Sequence, residues 1–292
     1  MQIWLNNELN NLEECFGKVP TDDDGTDFKH YRDFKWYERG KEERKMKFKM
    51  DSGHENEVIL YRYMPITQFW QIYISKKFSL LNPNLWRDPL ESPFFNARIQ
   101  QNGGEIESPF KDRFFAQCFT LNDSSESMWK TYGNGEKLVR LRMNVGAVRR
   151  LIDFNQVNYK NQDFYLGRVV YLNFEDIKYL FENVYMPKKL TEYFDEEAQA
   201  RTLLVKRYAY SFEKEIRLIY DAKDSFSTMR KKPVAIDLDI PDISELISEI
   251  LLDPNLNDHE VDFYKGAWKL IPHEQIKKSN LYSKEDYQLK LG

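Results

Sequence analysis

The chain has 292 residues, 41% hydrophobic and 15% aromatic, enough to bury a sizeable core as one large domain or as one domain with an appendage. Its 43 basic and 47 acidic residues leave a net charge of -4, so no general nucleic-acid or anionic-membrane surface is implied, although a local basic groove stays open. No apolar run approaches 18 residues, which excludes a bilayer-spanning helix and any membrane partner of that kind. The opening MQIWLNNELNNLEE lacks a basic start and an apolar stretch, so it does not read as a secretory signal. The two cysteines, Cys15 and Cys118, lie far apart outside any CxxC, and together these features predict a reducing, cytoplasmic setting.

Residues 1–56 read as an N-terminal charged and aromatic extension, and residues 57–292 as a single domain. In the extension, Ile3, Leu5, Leu9, Leu12 and Phe16 give a short amphipathic helix, followed by an acidic linker, TDDDGTD. A basic aromatic stretch with Tyr31, Phe34, Trp36 and Tyr37 comes next. Such interleaving can stack on bases, but the acids within it fit a charged helix better.

The domain opens on a strand at 58–63, whose alternation sets Ile59, Tyr61 and Tyr63 against Val58, Leu60 and Arg62. A helix follows, with Thr67 as candidate N-cap, and then a short strand at 78–81. NPNLWRDPLESPF is a rigid, proline-rich loop of the kind that carries function or simply connects. Residues 113–120, RFFAQCFT, form a mostly apolar and therefore central strand. A helix from Met128, capped by Ser125 or Ser127, ends at Gly133 and Gly135. Strand 137–143, helix 145–154 and strand 167–172 lead into a helical region from Phe174 to Lys206. A strand at 233–239, a helix at 243–248, a buried strand at 250–254 and a closing helix at 258–270 complete the order. Several strands are joined too closely for regular βαβ units. The fold class is therefore α+β, a mixed sheet, mostly antiparallel or split, with flanking helices.

The best-patterned strand is YAYSFEKEIRLIY, 208–220. Tyr208, Tyr210, Phe212, Ile216, Leu218 and Tyr220 fall on one face at period two. Ser211, Glu213, Glu215 and Arg217 fall on the other, with the carboxylates roughly 7 Å apart along the strand. This charged array is either a solvated ion pair or the floor of a polar cleft.

Several chemistries are missing. His30, His54, His259 and His273 show no i, i+4 pairing and no neighbouring cysteine pair, so no metal site is predicted from them. GxSxG, a P-loop and GxGxxG are all absent. Asp88, Glu91, Glu213 and Glu215 could together hold magnesium in a nuclease, but Glu213-Lys-Glu215 departs from the Glu-x-Lys spacing of many such enzymes.

Six ordered segments resemble a bacterial family, the "domain of unknown function 2971", over about 58–272. They are Leu60-Tyr-Arg-Tyr, Trp86-Arg-Asp-Pro-Leu-Glu-Ser, and Gln117-Cys-Phe-Thr with Met128-Trp-Lys-Thr-Tyr. Val170-Tyr171, Lys206 with Tyr210-Ser-Phe-Glu-Lys-Glu-Ile-Arg, and Leu251-Leu-Asp-Pro follow. The family usually shows Asn-Asp-Pro with a Glu soon after; Arg87 stands in place of that Asn, leaving Asp88, Pro89 and Glu91. A second resemblance is to ADP-ribosyltransferases of the arginine-serine-glutamate type, through Arg62, Thr120 and Glu213-Lys-Glu215 in that order.

That second resemblance implies an ADP-ribosyltransferase-like fold and a glycosyl-transfer enzyme with NAD as substrate and no metal, acting as a toxin or phage-defence effector. Arg62 would bind a phosphate or ribose, and Thr120 would form the nicotinamide-side wall. Glu215 would stabilise the oxocarbenium-like charge, while Glu213 would orient or deprotonate a macromolecular acceptor, protein or nucleic acid. Trp129 and Tyr132 would stack on a ring or else seal the core. The alternatives are a non-catalytic module that binds a nucleotide or partner, in which Lys206 and Arg217 matter as much as Glu215, and the magnesium-dependent nuclease.

Overall fold

Apolar residues at every second position pull one face of a large sheet onto a layer of helices, and this alternation governs the architecture. The computed structural model describes residues 58–86, 88, 91, 113–133, 135–159, 163–179, 200, 202–223 and 233–283, with the backbone of four short strands besides. Two of those, Tyr37–Arg39 (β1) and Met46–Phe48 (β2), form an antiparallel pair, so these two segments of the basic aromatic stretch are strands and not part of the charged helix expected there. The remainder of the expected N-terminal extension, with its helix at 3–16, lies outside the described residues.

Strand β3, Ile59–Pro65, leads into helix α1, Ile66–Ser75, and β4, Lys77–Leu81. The pair β5, Arg98–Gln101, and β6, Gly104–Glu107, comes next, followed by β7, Phe114–Thr120, and helix α2, Glu126–Gly133. Strand β8, Leu138–Asn144, continues into helix α3, Val145–Asn155, then β9, Asp163–Arg168, β10, Val170–Leu172, and helix α4, Phe174–Tyr179. After β11, Val205–Arg207, come β12, Glu215–Asp221, and β13, Ala235–Asp239. Helix α5, Ile243–Leu246, β14, Glu249–Leu252, helix α6, Asp258–Ala267, and β15, Ile276–Lys278, close the chain.

The main sheet is split, as its sequence pattern allows, and the split lies along β7. One edge of β7 is fully paired with β12, which in turn pairs with β9. Its other edge is shared. At Thr120 it meets Tyr61 of β3, which carries β8, β14 and β15; at Ala116 it meets Leu81 of β4, which carries β13. Every pairing in this sheet is antiparallel except β14 with β15.

Cross-strand partners share a face. One face presents Leu60, Met64, Phe119, Leu141, Ile216, Leu218 and Tyr220. These residues join Phe69 of α1, Val148 and Ile152 of α3, Ile243 of α5 and Val261 of α6 in one core. On the other face, Tyr63 and Leu138 pack with Met128 and Trp129 of α2. Glu215, Arg217, Cys118 and Thr120 belong to that second face.

Three further expectations from sequence are corrected. The strand read over 208–220 is half turn: residues Tyr208–Glu213 form a 3-10 helix, and Lys214 takes a left-handed conformation at φ 43° before β12 begins. The side chains of Thr120 and Asn122 hold this turn by donating to the carbonyls of Glu213 and Phe212. Lys206 lies on a strand, not in a helix, because β11 pairs in parallel with β10, which splits the single strand expected at 167–172. Thr67 does not cap α1, whose N-cap is Pro65; its hydroxyl donates to Glu136 instead.

Candidate functional site

Where β3 and β4 part along the same edge of β7, a cavity of 690 Å³ opens between the half-sheets, the turn at 208–213, helix α2 and the loop after β4. This is within the range of small-molecule sites, about 300–1,000 Å³.

The densest chemistry in its wall is a buried set of charges. The left-handed turn at Lys214 does what a straight strand could not, bringing Glu213 and Glu215 onto one ammonium. Lys206 Nζ lies 2.5 Å from Glu213 Oε2, 3.1 Å from Glu215 Oε2 and 2.8 Å from Glu91 Oε1. Arg217, fully buried, holds Glu215 through Nε at 2.9 Å and Nη2 at 3.0 Å, and reaches Glu91 Oε2 at 3.1 Å. Its Nη1 donates to the Leu203 carbonyl, and its guanidinium lies 4.3 Å from the Trp86 ring centre. Nearer the mouth, Arg207 Nε bonds Asp88 Oδ2 at 2.9 Å, and Arg207 Nη2 bonds the Tyr210 hydroxyl at 3.2 Å.

The carboxylates are not equivalent. Burial alone would raise Glu215, but Arg217 and Lys206 outweigh it and hold the carboxyl down at about 2. Its two oxygens accept one hydrogen bond from Lys206 and two from Arg217, so most of a carboxylate's four or so acceptor positions are taken. Glu213 is held by Lys206 through Oε2 alone. Burial prevails over that one contact and pushes its carboxyl above the usual range. Lys206 is drawn down by burial but held well above its ordinary value by Glu215 first, then by Glu91 and Glu213. Glu215 meets two cations, Arg217 and Lys206, whereas Glu213 meets Lys206 alone, and burial therefore raises Glu213 while Glu215 is held down.

Arg62 stands apart from this set. It lies on β3 one position out of phase with Tyr61, so its side chain enters the fork from the core side, 5.6 Å from the Phe78 ring centre. It pairs with neither Glu213 nor Glu215, and its Nη1 is buried without a hydrogen-bond partner. Burial lowers its pKa to about 10. Lys206, Arg207 and Arg217 are all matched by carboxylates, whereas Arg62 faces the cavity with none.

The sequence candidates therefore gather closely. Arg62, Asp88, Glu91, Thr120, Tyr132, Lys206, Glu213 and Glu215 all line the cavity, and Arg217 backs it. Trp129 does not. It is buried edge-on against Tyr63 at 5.0 Å, so the core-sealing alternative holds for it. Thr120 forms wall, but its hydroxyl is engaged in positioning Glu213. The hydroxyl of Tyr132 is pushed up by burial and by the charges of Glu213 and Glu215. Glu91, Glu213 and Glu215 do converge, as the nuclease alternative requires, yet the place a cation would take between them is filled by the Lys206 ammonium. Among the described residues no group of three or more His, Cys, Asp or Glu is arranged to hold a metal ion. Nor is any described helix long and apolar enough to cross a membrane.

Arg207 carries no sequence signal, and Tyr171 and Gln117 stand in the family-like segments Val170-Tyr171 and Gln117-Cys-Phe-Thr without a role assigned to them. Tyr171 accepts from the Glu215 backbone N–H at 2.8 Å and so fixes the start of β12. Gln117 was detectable as a lone amide inside the otherwise apolar run RFFAQCFT.

No curated protein matches the chain. Residues 128–218 hold Lys206, Glu213, Glu215, Arg217 and Tyr132, while Arg62, Asp88, Glu91 and Thr120 come from earlier in the chain. Residues 128–218 match a family model described as "Protein of unknown function (DUF2971)", so this stretch of the chain is similar to that family.

Proposed function

We propose that the cleft binds an NAD-type dinucleotide as substrate and transfers its ADP-ribosyl group to an acceptor. One observation carries this reading: a single cavity is lined both by the unpaired Arg62 guanidinium and by Glu213, a carboxylate held on one oxygen only. An unpaired buried guanidinium is costly, and an anionic ligand such as a diphosphate satisfies it. A carboxylate beside the ribose favours the cationic transition state formed as the glycosidic bond breaks.

In the step proposed, the nicotinamide–ribose C–N bond breaks and nicotinamide leaves as a neutral molecule with the bonding electron pair. Positive charge develops on the ribose, the acceptor nucleophile attacks C1′, and its proton passes to a base. Glu213, with one oxygen free and a raised pKa, suits both contact with the ribose and proton acceptance. Glu215, engaged by Arg217 and Lys206, is better suited to holding Lys206, and through it Glu213, in place. This reverses the emphasis that the family resemblance gives to the two glutamates. Tyr132, with its hydroxyl in the same wall, offers a ring against which a planar group can lie.

The test is release of nicotinamide from NAD by the purified full chain, with and without cell extract as acceptor source. Release by wild type and its loss, by 100-fold or more, in Glu213→Gln with binding retained is the expected result. Equal release by wild type and Glu213→Gln would overturn the assignment.

A further inference from the structure

We infer that Gln117 is a specificity-determining residue that requires the ligand held by Arg62 to carry a hydroxyl donor beside its anionic group, as a ribose phosphate does and a diester-linked diphosphate by itself does not. The inference rests on the nucleotide-binding reading above and deepens it.

Gln117 is 7% exposed and lies on β7 between the two points where its outer edge is paired, Ala116 with β4 and Thr120 with β3. It therefore sits in the opening of the fork, in the wall that also holds Arg62. Its amide orientation is set locally, since Nε2 donates to the Cys118 carbonyl at 3.1 Å. Turning the amide over would bring its oxygen against that carbonyl. The atom left over is Oε1, an acceptor, buried with no partner.

The same wall thus leaves one donor, Arg62 Nη1, and one acceptor, Gln117 Oε1, both unmet. Buried polar atoms are rarely left so, and each carries a desolvation cost until something meets it. The diester-linked diphosphate of an NAD-type ligand offers acceptors only, and inorganic pyrophosphate near neutral pH carries no more than a single P–OH. The diphosphate alone would satisfy Arg62 and leave Gln117 facing lone pairs. In an NAD-type ligand the donors nearest a phosphate are the ribose hydroxyls, so a sugar phosphate answers both atoms at once.

The experiment is calorimetric titration of the full chain with ADP-ribose, deoxyribose analogues of it and inorganic pyrophosphate, using wild type, Gln117→Leu and Gln117→Glu. Thermal melts of each variant control for folding. For Gln117→Leu we expect ADP-ribose affinity to fall roughly 5- to 150-fold, the range for leaving one buried polar group unmet, while pyrophosphate affinity is unchanged. Loss of one ribose hydroxyl from the ligand should weaken binding to wild type but not to Gln117→Leu. Gln117→Glu supplies Arg62 with an internal carboxylate and should abolish pyrophosphate binding. Equal ADP-ribose affinity in wild type and Gln117→Leu, or a parallel loss of pyrophosphate binding in Gln117→Leu, overturns the role of Gln117. Failure of wild type to bind ADP-ribose at all overturns the nucleotide reading, and this inference with it.

Discussion

Replacing Lys206 by methionine removes the one cation on which Glu91, Glu213 and Glu215 converge, at 2.8, 2.5 and 3.1 Å. The side chain is 4% exposed, so water does not take its place. Breaking a buried ion pair by removing one partner costs roughly 3–5 kcal/mol, because the carboxylates left behind remain charged and desolvated. For a domain of this size each kcal/mol moves the melting temperature by about 2–4 °C, so Lys206→Met should melt roughly 6–20 °C below wild type at pH 8.

The pH dependence of this deficit has a definite sign. With the ammonium gone, the folded-state pKa of Glu213, already raised, rises further above the unfolded value of about 4.3. A carboxyl whose folded pKa is raised contributes stability below its unfolded pKa and loses it as pH climbs through the folded pKa. The deficit of Lys206→Met should therefore shrink from pH 8 towards pH 5. Urea melts of both proteins at several pH values measure this. A deficit under about 1 kcal/mol, or one independent of pH, would refute the picture of three buried carboxylates sharing one ammonium.

The other substitutions separate structural from binding roles. Arg62→Met removes a buried charge without a protein partner, so stability should hold or rise while pyrophosphate and ADP-ribose binding is lost; a melting temperature lowered by more than a few degrees would mean Arg62 is already satisfied. Glu215, held at about 2, contributes about 3 kcal/mol that is present above its unfolded pKa and lost as pH falls through its folded one; Glu215→Gln should show that loss at pH 7 in a urea melt, and a near-neutral effect would contradict the assignment. Thr120→Val deletes the hydroxyl that bridges the Glu213 carbonyl and the Asn122 N–H, and should cost about 1–3 kcal/mol and slow turnover through displaced Glu213. In Gly167→Ala the new Cβ would lie 2.2 Å from Leu204 Cδ1, behind the segment that carries Lys206. The expected loss is roughly 1–3 kcal/mol, recovered in part by adding Leu204→Ala.

Much of the scaffold was legible because period-two alternation and loop lengths are local signals. The strands at 59–65, 77–81, 114–120 and 138–144 follow from them, as do the mostly antiparallel sheet and the core face of β12. The stretch 208–220 shows where that logic ends. Tyr208, Tyr210 and Phe212 keep the strand's period, yet the turn there is held by Thr120 and Asn122, some 90 residues earlier in the chain. No local pattern announces it, and Tyr208 ends up 62% exposed. The site followed the same division. Glu213, Glu215, Arg217 and Lys206 stood out as charges next to apolar neighbours. The unequal duties of the two glutamates depend on Lys206 and Glu91 arriving from other elements, and the unmet oxygen of Gln117 depends on the fork in the sheet.

The most direct measurement is a crystal structure of the full chain soaked with ADP-ribose. The diphosphate should lie on the Arg62 guanidinium, with a ribose hydroxyl on Gln117 Oε1 and Glu213 facing the ribose that nicotinamide would leave. A ligand seated away from the fork, or no ligand in the cleft at saturating concentration, would contradict the account.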